Sequence, residues 1–349
     1  LPLPPLQQCP PHITLHQLTI APTSRTHCHC RFGDRMTYVR GVVEIVFARP
    51  LTMAEEWARD HRWTDWTGES FGGQGEWDYV WSQPAVEGRG GVAGFDQGHG
   101  GWRLADFRQL YVERVAAAGG GDELVPTLEE VAAARLYTGP AFEKLNGFMR
   151  LVGQVKERHW RARLAQLRGF TYSSTVHHLM NAIRKLTQIA ALEQQQHQEM
   201  ASGASAQAAA AAAVTLYRGV RGVLPDSFFE PDVQGFVTAV DYGFTSTSAV
   251  RAVPIGFMSP DEYNVLWVLH CSSGADSAGQ LRDGAVLRPL SQFPSEAETL
   301  LPPLCMLQVL REGGEADTTG AFRWEDKEGT NKKGETVRVK EIHVRPCFV

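Results

Sequence analysis

The property that most restricts the folds open to this chain is a change of hydrophobic period part-way along it. From residue 102 to about 200 the apolar residues recur at helical spacing: Leu104, Phe107, Leu110, Tyr111 and Val115 share one face, as do Leu145, Phe148, Met149 and Val152. Ser173-Ser174-Thr175 offers a cap to a third helix carrying Leu179, Ile183, Leu186, Ile189 and Leu192. After Val214 the period gives way to short β-rich runs divided by Gly, Pro, Asp and Ser, at 214–220, 235–240, 242–248, 262–271, 284–291, 298–303, 305–310 and 336–344. Long helices do not separate these runs, which argues against a doubly wound parallel sheet. Helices first and strands afterwards predict an α+β fold.

The chain has 349 residues, about two domains at roughly 150 residues each. Residues 1–100 read as one unit, partly β and of unknown role, with a strand expected at 37–48 and Trp63, Trp66, Trp77 and Trp81 expected in its core. The glycine-rich run 88–101 reads as a linker, so a boundary is expected at about 100. Beyond it lie a helical lobe (101–200), an alanine-rich connector (201–213) and a β core (214–349).

Lys and Arg total 34 against 39 for Asp and Glu, and the net charge of -5 gives no global attraction to nucleic acid or to anionic membranes. Neither partner is expected. Seven lysines stand against 27 arginines. Six scattered cysteines do not make a disulfide framework, so free thiols and an intracellular, soluble protein are expected. No stretch of 18 apolar residues predicts a membrane span. The opening Leu-Pro-Leu-Pro-Pro, which lacks Met and the regions of a signal peptide, is consistent with a processed or partial chain. His27-Cys28-His29-Cys30 has zinc-ligand types, but its alternating spacing lacks a second cluster and no metal is expected. Residues 327–335 read as a polar hairpin turn.

Three polar spots interrupt the β-rich half. Arg218 ends an apolar strand in Leu216-Tyr217-Arg218-Gly219; Ser246-Thr247-Ser248 follows Gly243-Phe244-Thr245; Glu296 and Glu298 flank Ala297 in the run 290–303 (LSQFPSEAETLLPP). Alternation along a strand would turn both carboxylates to one side. Singly, each has an ordinary reading as a solvated or edge residue. In order, the three motifs resemble the R-S-E signature of mono-ADP-ribosyltransferases. Tyr137-Thr138-Gly139-Pro140, Leu145-Asn146 and residues 175–186 resemble the helices that precede the core in the arginine-specific branch. The resemblance covers roughly residues 104–310.

That resemblance implies an ADP-ribosyltransferase fold, with the helical lobe followed by a split β-sandwich that clasps NAD as co-substrate. It implies transfer of ADP-ribose to a protein arginine with release of nicotinamide. Breaking the nicotinamide–ribose bond passes through an oxocarbenium-like state that a carboxylate stabilises. By similarity, Glu298 would hold a ribose hydroxyl and face that cation, Ser246 would fix the Glu298 carboxylate, and Glu296 would orient and deprotonate the acceptor guanidinium. Arg218 would bind the pyrophosphate or adjoining ribose, and Gly219 would admit the nicotinamide amide to the backbone. Thr247 and Ser248 join the cofactor-binding set, and Phe293 is a candidate for acceptor recognition. Glu-Ala-Glu favours arginine, and the chain's own arginines make automodification a further expectation. The alternatives are NAD hydrolysis with water as acceptor, or a non-catalytic NAD-binding module. The alanine-rich insert departs from the family pattern, where a surface insertion costs little.

Overall fold

The computed structural model describes residues 51–59, 63–64, 70–71, 73–153, 172–200, 214–271, 284–312 and 320–347. The strand expected at 37–48, the His27–Cys30 cluster and the connector 201–213 lie outside the described residues. In chain order the helices are α1 (Met53–Arg59), α2 (Gly73–Ser82), α3 (Leu104–Ala117), α4 (Leu128–Leu136), α5 (Phe142–Gly153), α6 (Ser173–Met200) and α7 (Ala252–Gly256). The strands are a two-residue pair, β1 (Trp63–Thr64) and β2 (Ser70–Phe71), then β3 (Val214–Arg221), β4 (Thr238–Asp241), β5 (Thr245–Ser248), β6 (Asn264–Cys271), β7 (Ala285–Val286), β8 (Glu298–Leu301), β9 (Cys305–Val309), β10 (Trp324–Thr330) and β11 (Thr336–Cys347). The fold is α+β: helices first, then a nine-stranded mixed sheet.

The helical period is realised in α3, α5 and α6, whose periodic residues Phe107, Tyr111, Leu145, Leu179, Ile183 and Ile189 are buried together. An additional helix, α4, begins at a reciprocal cap: Glu130 N donates to Thr127 Oγ1 (3.2 Å) and Thr127 N to Glu130 Oε2 (2.8 Å). A π-helical turn, Tyr137–Ala141, carries Pro140 between α4 and α5. The first turn of α6 is capped from a distance. Glu56 of α1 accepts from Ser174 N (2.6 Å) and Thr175 N (3.0 Å), and Trp57 Nε1 donates to Thr175 Oγ1 (3.0 Å).

The linker expected at 88–101 is instead a folded loop, and the boundary expected at 100 would cut through one core. Met53, Trp57, Trp77, Tyr79 and Phe95 are buried in the same cluster as Phe107, Leu136, Ile183 and Phe244. Ala85 N donates to Trp102 O (2.7 Å), and Gly101 N to Ala85 O (2.8 Å). The glycines serve geometry rather than looseness: Gly94 and Gly98 sit at φ 82, where a side chain is strained. Helices α1 and α2 also replace part of the expected β content, and Trp77 stacks on Trp81 from consecutive turns of α2.

The sheet runs β4-β9-β11-β6-β3-β5-β8-β7, with β10 paired to β11. β6 lies parallel to β11 and antiparallel to β3, and it is buried along nearly its whole length. One face carries Leu216, Trp267, Leu307 and Ile342; the other carries Leu266, Val268 and Val339 against Ile255 and Met258. The sheet is almost divided between β3 and β5, where pairing is reduced to Tyr217 opposite Ser248. Beyond that seam, Phe244, Ala285, Leu287 and Leu300 pack into the helical core. The hairpin turn expected at 327–335 is tighter, closed by Gly334 N donating to Asn331 O (3.0 Å). Residues 327–330 complete strand β10, which pairs along Trp324–Thr330 and leaves most of its side chains exposed or half-exposed. An edge strand with little burial leaves no apolar alternation to read. The run expected at 284–291 contracts to β7 and then turns, Leu290 N donating to Leu287 O (2.8 Å).

Candidate active site

Of the sequence-predicted residues, Arg218, Ser246, Thr247, Ser248 and Glu298 come together at the seam. On β3 the alternate residues Leu216, Arg218 and Val220 are buried, so the strand carries Arg218 inward at 3% exposure. A buried guanidinium needs acceptors. Nη1 donates to Ser246 O across the seam (2.8 Å) and Nη2 to Asp241 Oδ2 (2.9 Å). Arg218 Nε has no partner among the described residues. Burial pushes the guanidinium pKa down while the Asp241 charge opposes the change.

Asp241, at the end of β4, holds a second arginine as well. Arg150 of α5 donates Nε to Oδ1 and Nη2 to Oδ2, both at 3.0 Å, and Gly243 N adds a bond to Oδ1 (3.0 Å). Two buried arginines thus share one fully buried carboxylate. Next to them Asn146 grips the start of β5, accepting from Phe244 N (2.7 Å) and donating to Tyr137 Oη (3.0 Å). A Cβ on Gly243 would lie 2.8 Å from Asn146 Oδ1, so this close approach requires glycine. Phe244 is fully buried and Tyr217 packs against the sheet core.

Strand β5 presents Ser246 to Glu298 of β8, and Ser246 Oγ donates to Glu298 Oε1 at 2.5 Å. Glu298 is only 8% exposed. Burial pushes its carboxyl up to about 7; the Glu296 charge adds to the rise, while the Ser246 hydrogen bond and Arg218 oppose it. The neighbouring hydroxyls are committed to the main chain. Thr247 Oγ1 donates to Thr299 O (2.6 Å), and Ser248 Oγ donates to Glu296 O (2.7 Å) while accepting from Val250 N (3.0 Å). Thr247 and Ser248 therefore fasten β5 to β8 and to the turn before it.

The strand alternation expected to align Glu296 with Glu298 is not how the two meet. Glu296 ends a 3₁₀ turn, Pro294–Glu296, and Ala297 sits in the left-handed region at φ 47, ψ 47. Strand geometry begins only at Glu298. Burial raises the Glu296 pKa and the Lys332 charge opposes it. Phe293 packs edge-on against Phe95 (5.3 Å, 87°) on the rim of the helical core. At Gly219 an added Cβ would meet Pro254 O at 3.1 Å and Met258 Cε at 3.2 Å, so the missing side chain makes room for α7.

Sequence reasoning did not find Asp241 or Arg150. Nothing local marks either one, because their significance arises only when α5 and β4 meet. Away from the seam, Glu325, Glu341 and His343 come within metal-binding distance of one another among the described residues. Their carboxylates are already answered by Lys327 Nζ (2.6 Å to Glu325 and 3.0 Å to Glu341) and by Arg251 Nη2 (2.6 Å to Glu341). No helix among the described residues is long and apolar enough to cross a membrane.

No family model and no curated protein matches the chain. Solved structures similar to it include the ADP-ribosyltransferase HopU1 of Pseudomonas syringae pv. Tomato DC3000, at 18% identity and TM-score 0.37 over 69% of this chain and 88% of that one. Another is the Vis toxin of Vibrio splendidus, an ADP-ribosyltransferase, at 17% identity and TM-score 0.37 over 70% and 83%. The eucaryotic mono-ADP-ribosyltransferase ART2.2 is similar at 16% identity and TM-score 0.34 over 70% and 78%.

Proposed function

We propose that this chain is a mono-ADP-ribosyltransferase that moves ADP-ribose from NAD to a protein arginine. The observation that carries the reading is the hydrogen-bonded pair Ser246–Glu298, set beside the buried Arg218 with Glu296 two residues upstream. Arg218 suits an anionic co-substrate. Its guanidinium is planar and keeps its charge, and its Nε has no acceptor among the described residues.

In this reading the bond between nicotinamide and ribose C1′ breaks, and its electron pair leaves with nicotinamide, which becomes neutral. Ionised Glu298 faces the positive charge that develops on C1′ and the ring oxygen, as a carboxylate does in glycosyl transfer. Ser246 fixes the carboxylate's orientation, so little reorganisation accompanies the charge change. A guanidino nitrogen of the acceptor forms the new bond to C1′, and its proton passes to Glu296. Phe293, three residues before that carboxylate, contacts the acceptor in this reading. Thr247 and Ser248 act on NAD through the position of β5.

Incubating the purified chain with NAD labelled in its ADP-ribose portion and an arginine-rich protein tests the proposal. Mass mapping should place the label on arginine. Glu298→Gln should lower both labelling and nicotinamide release by roughly a hundredfold or more. Glu296→Gln should abolish labelling while NAD hydrolysis persists. Full activity in Glu298→Gln would overturn the assignment. Mapping the enzyme's own 27 arginines in the same samples tests automodification.

A further inference from the structure

The turn that carries Glu296 is held by chain far upstream of it. Gln292 is fully buried, and both acceptors beside its amide lie on the Nε2 side: Glu76 Oε1 of α2 (3.0 Å) and Arg135 O of α4 (2.9 Å). Its backbone is held at both ends, Gln292 N donating to Thr138 Oγ1 (3.0 Å) and Gln292 O accepting from Asp96 N (2.7 Å). Arg135 ties the same pieces together, donating Nη1 to Leu290 O (3.1 Å) and Nη2 to Asp96 Oδ1 (3.0 Å). Asp96 also accepts a short hydrogen bond from Tyr79 Oη. Phe95 meets Phe293 edge-on, and a Cβ on Gly94 would lie 3.6 Å from Ser295 Oγ.

The two carboxylates are anchored unequally. Glu298 belongs to β8, which pairs with β5 on one side and β7 on the other. Glu296 belongs to the turn, whose local bonds are Glu296 N to Phe293 O (3.0 Å) and Ser248 Oγ to Glu296 O (2.7 Å). The clamp at residues 290–293 therefore bears on Glu296 more than on Glu298.

We infer that Gln292, clamped by Glu76, Asp96 and Arg135, is a positioning residue for Glu296, which makes the segment 73–101 a working part of the acceptor side of the site. The inference rests on the proposed transferase reading. Its test compares arginine labelling with NAD hydrolysis in Gln292→Leu and Glu76→Gln. Gln292→Leu should lower the ratio of labelling to hydrolysis roughly ten- to a hundredfold, the scale of a misplacement of about 1 Å, with hydrolysis near the wild-type rate. Glu76→Gln keeps an acceptor oxygen for the Gln292 amide and should keep the ratio. A parallel fall of both activities in Gln292→Leu, or an unchanged ratio, would overturn the inference. A second measurement needs no turnover. In the unaltered chain, the amides of Asp96, Gln292 and Glu296 should exchange with deuterium in one cooperative step, and independent fast exchange at Glu296 would refute the clamp. Absence of NAD turnover in the unaltered chain would defeat the transferase reading and leave the exchange result to judge the clamp.

Discussion

Replacing Ser246 by alanine tests the chemistry of the seam through a pH profile. Burial holds the Glu298 carboxyl near 7, and the hydrogen bond from Ser246 is the largest influence pulling it back towards the ordinary range. A hydrogen bond to an ionised group contributes about 1.5–3 kcal/mol, and one pKa unit corresponds to about 1.4 kcal/mol. Loss of the hydroxyl should therefore move the carboxyl up by about one to two units, to about 8–9. Catalysis in the proposed mechanism uses the ionised form, so kcat/KM for NAD hydrolysis should rise with pH through about 7 in the unaltered chain. In Ser246→Ala the rise should come one to two units later. At pH 7 the variant should then run about five- to fiftyfold slower, with most of the deficit recovered by pH 9.5. Any deficit remaining on the alkaline plateau measures the part of Ser246 that orients the carboxylate. A midpoint that stays near 7, or moves down, would refute the argument that Ser246 acts by stabilising the charge on Glu298.

Other perturbations probe the supports of the site. Asp241→Asn leaves Arg150 and Arg218 buried without their shared charge, and chemical denaturation should show a loss of about 3–5 kcal/mol; a loss below about 1 kcal/mol would mean that water or rearrangement replaces the carboxylate. Gly243→Ala drives a methyl group to 2.8 Å from Asn146 Oδ1, which should cost about 1–3 kcal/mol by the same assay and slow NAD turnover through displacement of β5. Burial raises the Glu56 carboxyl to about 7 from an ordinary 4.5. Folding therefore favours its protonated form, and that contribution is complete below pH 4.5 and fades as pH rises through 7. The stability difference between the unaltered chain and Glu56→Ala should be larger at pH 5 than at pH 8, by up to about 3 kcal/mol, and a difference that grows with pH would reverse the assignment.

What the sequence discloses about the fold follows where burial is one-sided. Helices α3, α5 and α6 each turn a single stripe to the core, and their period of apolar residues is visible without a structure. The reciprocal cap Thr127–Glu130 is also written locally, as Thr-x-x-Glu ahead of the apolar run of α4, and a search for that pattern would find the helix. Strand β10 fails the same test because it lies on an edge with little burial. The glycines of 88–101 mislead for a different reason. Composition cannot separate glycine used for flexibility from glycine used at positive φ, and here Gly88, Gly91, Gly94, Gly98 and Gly101 all take the second role.

The same distinction governs the site. Arg218, Ser246 and Glu298 are legible because they fall in three motifs that occur in order along the chain, although each alone reads as an ordinary solvated or edge residue. Asp241 carries as much of the electrostatics and is invisible, since an aspartate after Thr238-Ala239-Val240 reads as an ordinary strand end. Its partner Arg150 is 91 residues away on a helix where one more arginine attracts no notice. Only the fold brings the pair together, and once they are buried the geometry becomes demanding. A buried guanidinium left without an acceptor is costly, so Arg150 and Arg218 need a carboxylate within reach, and the carboxylate needs both of its oxygens filled. Asp241 meets that requirement, with Arg150 spanning Oδ1 and Oδ2, Gly243 N on Oδ1 and Arg218 on Oδ2. The Nη1 of Arg218 is then directed to Ser246 O, on the strand that carries the hydroxyl bonded to Glu298. The motif names the residues that meet at the seam, and the unmarked pair Asp241 and Arg150 fixes where they meet.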